Sequence, residues 1–181
     1  MAHPKPPQPA RLICGMIASE TSLFDEVLTP LRNAFGAVDI LSEVYPFDLT
    51  HYYAAQMGDP LWRQFVSFDE PVCPDVLADA KCCTNAIEAD VAQRHADGPD
   101  RPINLDVGLI APSKLILASM KDFSHRIYLS HGVWAEVTLI YRNQHWQSLD
   151  WTFPDYASGR YDAFLTRARD AIASALRNCT P

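Results

Sequence analysis

The stretch Lys121-Asp-Phe-Ser-His-Arg-Ile-Tyr-Leu-Ser-His-Gly-Val-Trp-Ala-Glu-Val-Thr-Leu-Ile-Tyr141 reads as a β-hairpin, and its turn decides which face of a sheet carries charge. Side chains alternate across a strand, so a one-residue slip in pairing moves every one of them to the opposite face. With His131-Gly132 as a two-residue turn and regular pairing, Ile127 would face Glu136, and His125, Ile127, Leu129, Trp134, Glu136 and Thr138 would share one mixed surface. With Ser130-His131-Gly132 as a three-residue loop and Gly132 in the left-handed conformation, Leu129 pairs with Val133 and Arg126 lies opposite Glu136. Ile127, Leu129, Val133, Ala135, Val137 and Leu139 then form an uninterrupted apolar surface, and Arg126, Tyr128, Trp134, Glu136 and Thr138 form the other. An unpaired carboxylate among aliphatic side chains costs on the order of several kcal/mol, which favours the three-residue loop.

The flanking sequence alternates between strand and helix signals. Leu12 to Ala18 has the length and composition of a buried central strand. Ser22 suits the cap of a helix in which Phe24, Val27, Leu28, Leu31 and Phe35 recur at helical spacing; Gly36 ends it and Pro30 is expected to bend it. Val38 to Tyr45 alternates as a second strand, Pro46 to Gly58 reads as a loop and a short helix capped by Thr50, and Arg63 to Phe68 as a third strand. Asp75 starts a helix that turns Val76, Ala80, Cys83, Ile87 and Val91 toward a core, with Lys81, Asn85 and Glu88 in a row along its flank. Ile103 to Ile110 is a fourth strand. Pro112 to Met120 suits helix or strand, with a short helix from Ser113 preferred. After the hairpin come an aromatic loop around Trp146, Trp151 and Tyr156 and a last helix from about Gly159, with Tyr161, Phe164, Leu165, Ala168, Ile172 and Leu176 on one face.

Four strands and two long helices in the order β-α-β-β-α-β spell a ferredoxin-like split unit. The expected fold is α+β: a ferredoxin-like βαββαβ core extended by a C-terminal antiparallel hairpin and a final helix, in a single domain over 11–181 behind a proline-rich extended arm at 1–10. Fifteen Lys and Arg against 22 Asp and Glu give a net charge of −7, which argues against a general nucleic-acid or acidic-membrane binder. The N-terminal nine residues lack the apolar stretch of a secretory signal, and no apolar run approaches the ~20 residues that span a bilayer, so a cytoplasmic protein is expected. Cys14, Cys73, Cys82, Cys83 and Cys179 form no CxxC pair and read as free thiols of a reducing compartment. The sequence carries no P-loop, GxGxxG, HExxH, GxSxG or EF-hand motif, so it assigns neither a metal site nor a cofactor.

Pro46-Phe-Asp-Leu-Thr-His-Tyr-Tyr53 with Met57-Gly58, Arg63-x-Phe-x-Ser-Phe68, Lys81-x-x-Thr-Asn-x-x-Glu88, Asn104-x-Asp-x-Gly108, Lys121-Asp-x-Ser-His-Arg-Ile-Tyr-Leu129, Ala135-Glu-Val-Thr-Leu139 and Trp151-Thr-x-Pro-Asp-Tyr156 together resemble the bacterial family known as domain of unknown function 4416. The resemblance runs from about Arg11 to the final helix. It implies a one-domain cytoplasmic protein and supplies no activity. Asp106-Val107-Gly108 stands where that family usually has Asp-Pro-Gly, and Leu109 where it usually has an aromatic residue.

Arg126 and Glu136, paired across strands, are at minimum an ion pair on a half-covered sheet face, worth ~0.2–1 kcal/mol. Their functional alternative is a cleft shared with Lys121, Asp122, Tyr128 and Thr138, in which the guanidinium fork takes a carboxylate or phosphate and Glu136 orients it or acts as acid or base. His125 joins as a third catalytic candidate where the strand begins after it or bulges there. Lys81, Asn85 and Glu88 are either a solvated flank or a second wall of that cleft. Asn104 and Asp106 share a strand face ahead of Gly108, which is expected to place a carboxylate in a turn near a metal or ligand, although one or two oxygen donors do not define a metal site. Tyr45, Phe47, Tyr52, Tyr53, Trp62, Phe65 and Phe68 read as a second packing cluster. The expected function is binding of an anionic small molecule or nucleotide, with or without acid/base chemistry. The alternative is a noncatalytic interaction or homo-oligomerisation domain presenting Tyr128, Trp134, Trp146, Trp151 and Tyr156.

Overall fold

In a computed structural model that describes residues 3–50 and 53–178, the apolar run at Leu12 lies in β1 (Ala10–Ala18), every residue of which is buried. A strand buried on both faces needs a neighbour on each edge, and β1 has β4 (Trp62–Val72) on one side and β5 (Ile103–Ala111) on the other, both antiparallel. Helix α1 (Ser22–Phe35) follows β1 and ends at Gly36, whose φ of 93° is the left-handed geometry glycine tolerates. Next come β2 (Val38–Leu41), β3 (Tyr45–Pro46) and the short α2 (Ala54–Met57), then α3 (Leu77–Arg94) between β4 and β5. The C-terminal half supplies β6 (Lys114–Ser119), β7 (Ile127–Ser130), β8 (Val133–Arg142), β9 (His145–Ser148), α4 (Pro154–Ala157) and α5 (Asp162–Asn178). The described residues thus form an antiparallel nine-stranded sheet in the order β2-β4-β1-β5-β6-β8-β7, with β3 beside β4 and β9 beside β8, plus five α-helices.

Register divides the sheet into two faces. Leu12, Cys14 and Met16 of β1 and Leu105, Val107 and Leu109 of β5 point to the side where Leu23, Phe24, Val27 and Leu31 of α1 and Leu77, Ala78, Ala80 and Val91 of α3 close the core. On the other side Ile13, Phe65, Ile110, Leu115 and Leu139 pack under Phe164, Leu165, Ala168 and Ile172 of α5. Farther along that second face, beyond α5, the same strands carry Arg63, Asn104 and Asp106.

Several expectations are corrected here. Pro112 to Met120 yields strand β6 instead of a helix, because Leu115 and Leu117 fill one face while Ile116 and Ala118 fill the other; a strand buried on both faces shows no alternation. Val38 to Tyr45 breaks into β2 and the brief β3, Trp146 sits on β9 and Tyr156 on α4 rather than in an aromatic loop, and a 3-10 turn at Pro74–Val76 precedes α3. Thr21 and Tyr53, rather than Ser22 and Thr50, stand at the N-caps of α1 and α2, and neither forms a side-chain capping bond. Tyr52 and Cys179 lie outside the described residues; Cys14, Cys73, Cys82 and Cys83 are free thiols.

The hairpin combines both turn options. Ser130 pairs with Val133, so the turn is the two-residue His131-Gly132, with φ of 54° and 75°, rather than a three-residue loop. A bulge at Leu129 then shifts the ladder and sets Tyr128 opposite Trp134 and Ile127 opposite Ala135. That is the register in which Arg126 comes level with Glu136. The expected continuous apolar surface fails at β7, where Ile127 and Leu129 are 72% and 40% exposed because this four-residue edge strand is bonded on one side only, and again past Val137, where a bulge in β8 moves Leu139 to the face that carries Glu136. Among the described residues no helix is long and apolar enough to cross a membrane.

Candidate functional site

A gap in the sheet makes the site. The ladder between β5 and β6 covers only Gly108–Ala111 against Lys114–Leu117, so among the described residues the first half of β5 has no strand on that edge. Gly108 lies within β5, not in the expected turn, and permits the close approach where pairing begins: a Cβ there would stand 2.5 Å from the Ile116 carbonyl oxygen. Upstream, α3 supplies what a strand would have given. Leu105 N–H donates to Glu88 Oε1 at 2.7 Å, and Lys81 Nζ donates to the Leu105 carbonyl at 2.8 Å. Beside this gap lies a cavity of about 380 Å³, lined from β4, α3, β5, β6, the start of the hairpin, the segment after β3 and the turn into α4.

Three charged groupings surround it. Arg63 is 2% exposed, and its guanidinium donates to Asp155 Oδ2 at 3.0 Å and Asp106 Oδ2 at 2.7 Å. The rings of Phe47, Phe65, Tyr156 and Tyr161 surround the same guanidinium. Burial by itself would favour the neutral form of Arg63, but Tyr156, Asp155, Asp106 and Tyr161 outweigh it and strengthen its hold on the proton. Burial likewise raises the Tyr156 and Tyr161 phenols above the ordinary tyrosine value, against the opposing pull of Arg63. In the second grouping, Arg101 Nη2 donates to Glu88 Oε2 at 2.9 Å and to Asn104 Oδ1, while Lys81 Nζ stands 3.9 Å from Glu88.

The third grouping centres on Glu136, whose side chain is 1% exposed. Arg126 Nε donates to Glu136 Oε2 at 2.7 Å, and Arg126 Nη1 donates to Ser119 Oγ and to the Lys121 carbonyl. Because β7 begins after it, His125 turns to the same carboxylate, with Nε2 2.9 Å from Oε2, and stacks on Trp151 at 5.1 Å between ring centres. Thr138 Oγ1 donates to Glu136 Oε1 at 3.4 Å. An ion pair so deeply withdrawn from water is distinct from a solvated surface pair.

Lys81, Asn85, Asn104, Asp106, Lys121, Arg126 and Glu136 all line the cavity, and Glu88 stands behind it. His125 and Thr138 reach it through Glu136. Two more anticipated residues lie outside the lining and bond to none of its predicted members: Tyr128, 57% exposed and edge-on to Trp134, and Asp122, exposed at the hairpin's approach. Arg63, Arg101, Asp155 and Tyr156 also line the cavity and are not among the cleft residues expected from the sequence. Arg63 had one available signal, since it shares strand parity with Phe65 and Ser67 and therefore points a cation at the core face. Trp146 and Tyr156, expected on an aromatic surface, are buried at 8% and 3% exposure. Among the described residues, the buried side-chain polar atoms without a hydrogen-bond partner are Arg63 Nε, Asn104 Nδ2 and Tyr156 Oη, all on residues that line this cavity.

The family model described as domain of unknown function (DUF4416) matches residues 8–171, and the chain belongs to that family. No curated protein and no solved structure matches the chain.

Proposed function

We propose that this member of the family binds a small organic anion in the cleft between β5 and β6, with Glu136 and His125 placed for proton transfer beside it. One observation carries the proposal: in a chain of net charge −7, the cavity is lined by Arg63, Lys81, Arg101, Lys121 and Arg126 against Asp106, Asp155 and Glu136. Glu88 behind the wall narrows that excess without reversing it. Arginine forks in a partly dry site favour carboxylate or phosphate. Buried donors left unpaired cost ~1–3 kcal/mol each, and their confinement to this lining fits a site shaped for function rather than stability. The strand order β2-β4-β1-β5, with α1 and α3 on one face, supports a ferredoxin-like core to which β6–β9 and α5 are additions.

Thermal unfolding of the wild type and of Arg126→Ala, with phosphate, citrate, glutamate and nucleoside monophosphates, tests the proposal. A ligand at a hundred times its Kd adds about 2.7 kcal/mol when it binds only the folded state. The expected outcome is a rise in Tm for the wild type that shrinks in the variant. A rise no larger than that given by sodium chloride of equal ionic strength, for every anion, would sink the proposal.

The exposed Ile127, Tyr128 and Leu129 on the edge strand β7 favour a second function, association through that edge. Light scattering on the wild type and Ile127→Lys separates the two, since a monomer in both removes the interaction function.

A further inference from the structure

We infer that the anion is a mononucleotide, an inference that rests on the anion-binding proposal above. The lining presents three kinds of group, and a simple anion would use only one of them. The first kind is cationic. Arg101 keeps 33% of its side chain exposed and commits only Nη2 to Glu88 and Asn104, which leaves the rest of its fork for a phosphate.

The second kind is an acceptor. The Asp106 side chain is 22% exposed and lines the cavity, while Arg63 engages only its Oδ2. Such a carboxylate repels a bare phosphate or a tricarboxylate. It accepts hydrogen bonds from a sugar hydroxyl, as acidic residues do on the ribose of bound nucleotides.

The third kind is apolar and wet. Phe153 and Met120 are 40% and 44% exposed, come from different segments and both line the cavity. A flat heterocycle covers such surface and leaves water in doing so. At about 380 Å³ the cavity sits at the low end of the ~300–1,000 Å³ range of small-molecule pockets, which suits one nucleotide and not two.

Titration calorimetry on the full chain tests the inference with the four ribonucleoside monophosphates, 2′-deoxyadenosine monophosphate, ribose 5-phosphate, adenosine, inorganic phosphate and citrate. At least one nucleoside monophosphate is expected to bind tenfold or more tightly than ribose 5-phosphate, and tenfold or more tightly than its own nucleoside where adenosine is the comparison. The 2′-deoxy compound is expected to bind several-fold more weakly than its ribonucleotide. Phe153→Ala, at an exposed position where folding is readily checked by Tm, is expected to reduce the nucleotide's advantage over ribose 5-phosphate to about twofold. Equal binding of ribose 5-phosphate, phosphate or citrate overturns the nucleotide assignment and leaves the anion proposal standing. Binding of none of these compounds overturns both.

Discussion

One face of the sheet has two characters along its length. Under α5, Ile13, Phe65, Ile110, Leu115 and Leu139 meet Phe164, Leu165 and Ile172, and stability there comes from withdrawing hydrocarbon from water, roughly 1.5–3 kcal/mol for each fully buried large side chain. A few residues away on the same strands, Arg63, Asn104 and Glu136 are just as deeply placed, with Asp106 partly exposed beside them, and all four are held by ion pairs and hydrogen bonds. β5 records the change in four alternate positions: Ile110, Gly108, Asp106 and Asn104. Its other face, Ile103, Leu105, Val107 and Leu109, stays apolar throughout. Burial alone therefore does not distinguish the two halves; the completeness of pairing does. The unpartnered buried donors belong to the cleft half, and among the described residues the α5 half contributes none apart from Tyr156, which faces both. Stability is concentrated where no ligand reaches, so the cleft can keep groups a ligand would satisfy.

The strongest way to break that contrast is a matched pair of substitutions. Arg63→Met leaves Asp106 and Asp155 facing each other in a dry site and is expected to cost about 3–5 kcal/mol, measured as a lowered urea midpoint. Phe164→Ala, in the α5 half, is expected to cost about 3–5 kcal/mol for the separate reason that it opens a cavity. The two differ in cause, since the first removes the cation from between two carboxylates and the second leaves a void among rings and aliphatic side chains. A loss below about 1 kcal/mol for Arg63→Met would mean that the cluster carries no structural charge balance.

Gly108→Ala tests the boundary between the halves. The new methyl group meets the Ile116 carbonyl and the Leu117 side chain, so the strands must part where the β5–β6 ladder begins. The expected loss is about 1–3 kcal/mol, typical of overpacking, with weakened ligand binding on top of it. Unchanged stability would show that β6 shifts freely, and the cleft would then owe nothing to this glycine.

Much of this division was legible in the sequence, and its gaps have physical causes. The Arg126 and Glu136 register followed from sorting apolar and polar side chains, yet the turn itself did not, because a bulge at Leu129 converts one register into the other and leaves the alternating pattern intact. The row Lys81, Asn85 and Glu88 was visible as a helix flank, but that it would satisfy Leu105 depends on a strand being absent, which no local pattern encodes. The run that forms β6 suits helix as well as strand, with helix preferred, because a strand buried on both faces has no period. Arg63 was overlooked because its partners Asp106 and Asp155 lie 43 and 92 residues away in the chain.

The finest test of the contrast removes a single oxygen. Tyr156 is 3% exposed, its hydroxyl has no hydrogen-bond partner among the described residues, and Arg63 lies against its ring. An unpaired buried hydroxyl costs stability, so Tyr156→Phe is expected to be neutral or to stabilise by up to about 1 kcal/mol at pH 7. The effect grows with alkali. The Tyr156 phenol is raised in the folded protein by burial, whereas in the unfolded chain it titrates near 10. Below about pH 10 both states keep the proton and the contribution is complete; above it the unfolded chain ionises first, and stability falls as pH rises. Tyr156→Phe removes that component, so urea midpoints of the two proteins should diverge in favour of the variant between pH 9 and pH 11, by no more than the ~1.4 kcal/mol per pH unit that one proton allows. A variant less stable by more than about 1 kcal/mol at pH 7 would show that the hydroxyl is bonded in solution, and the incomplete pairing that sets the cleft apart from the α5 half would lose one of its three members.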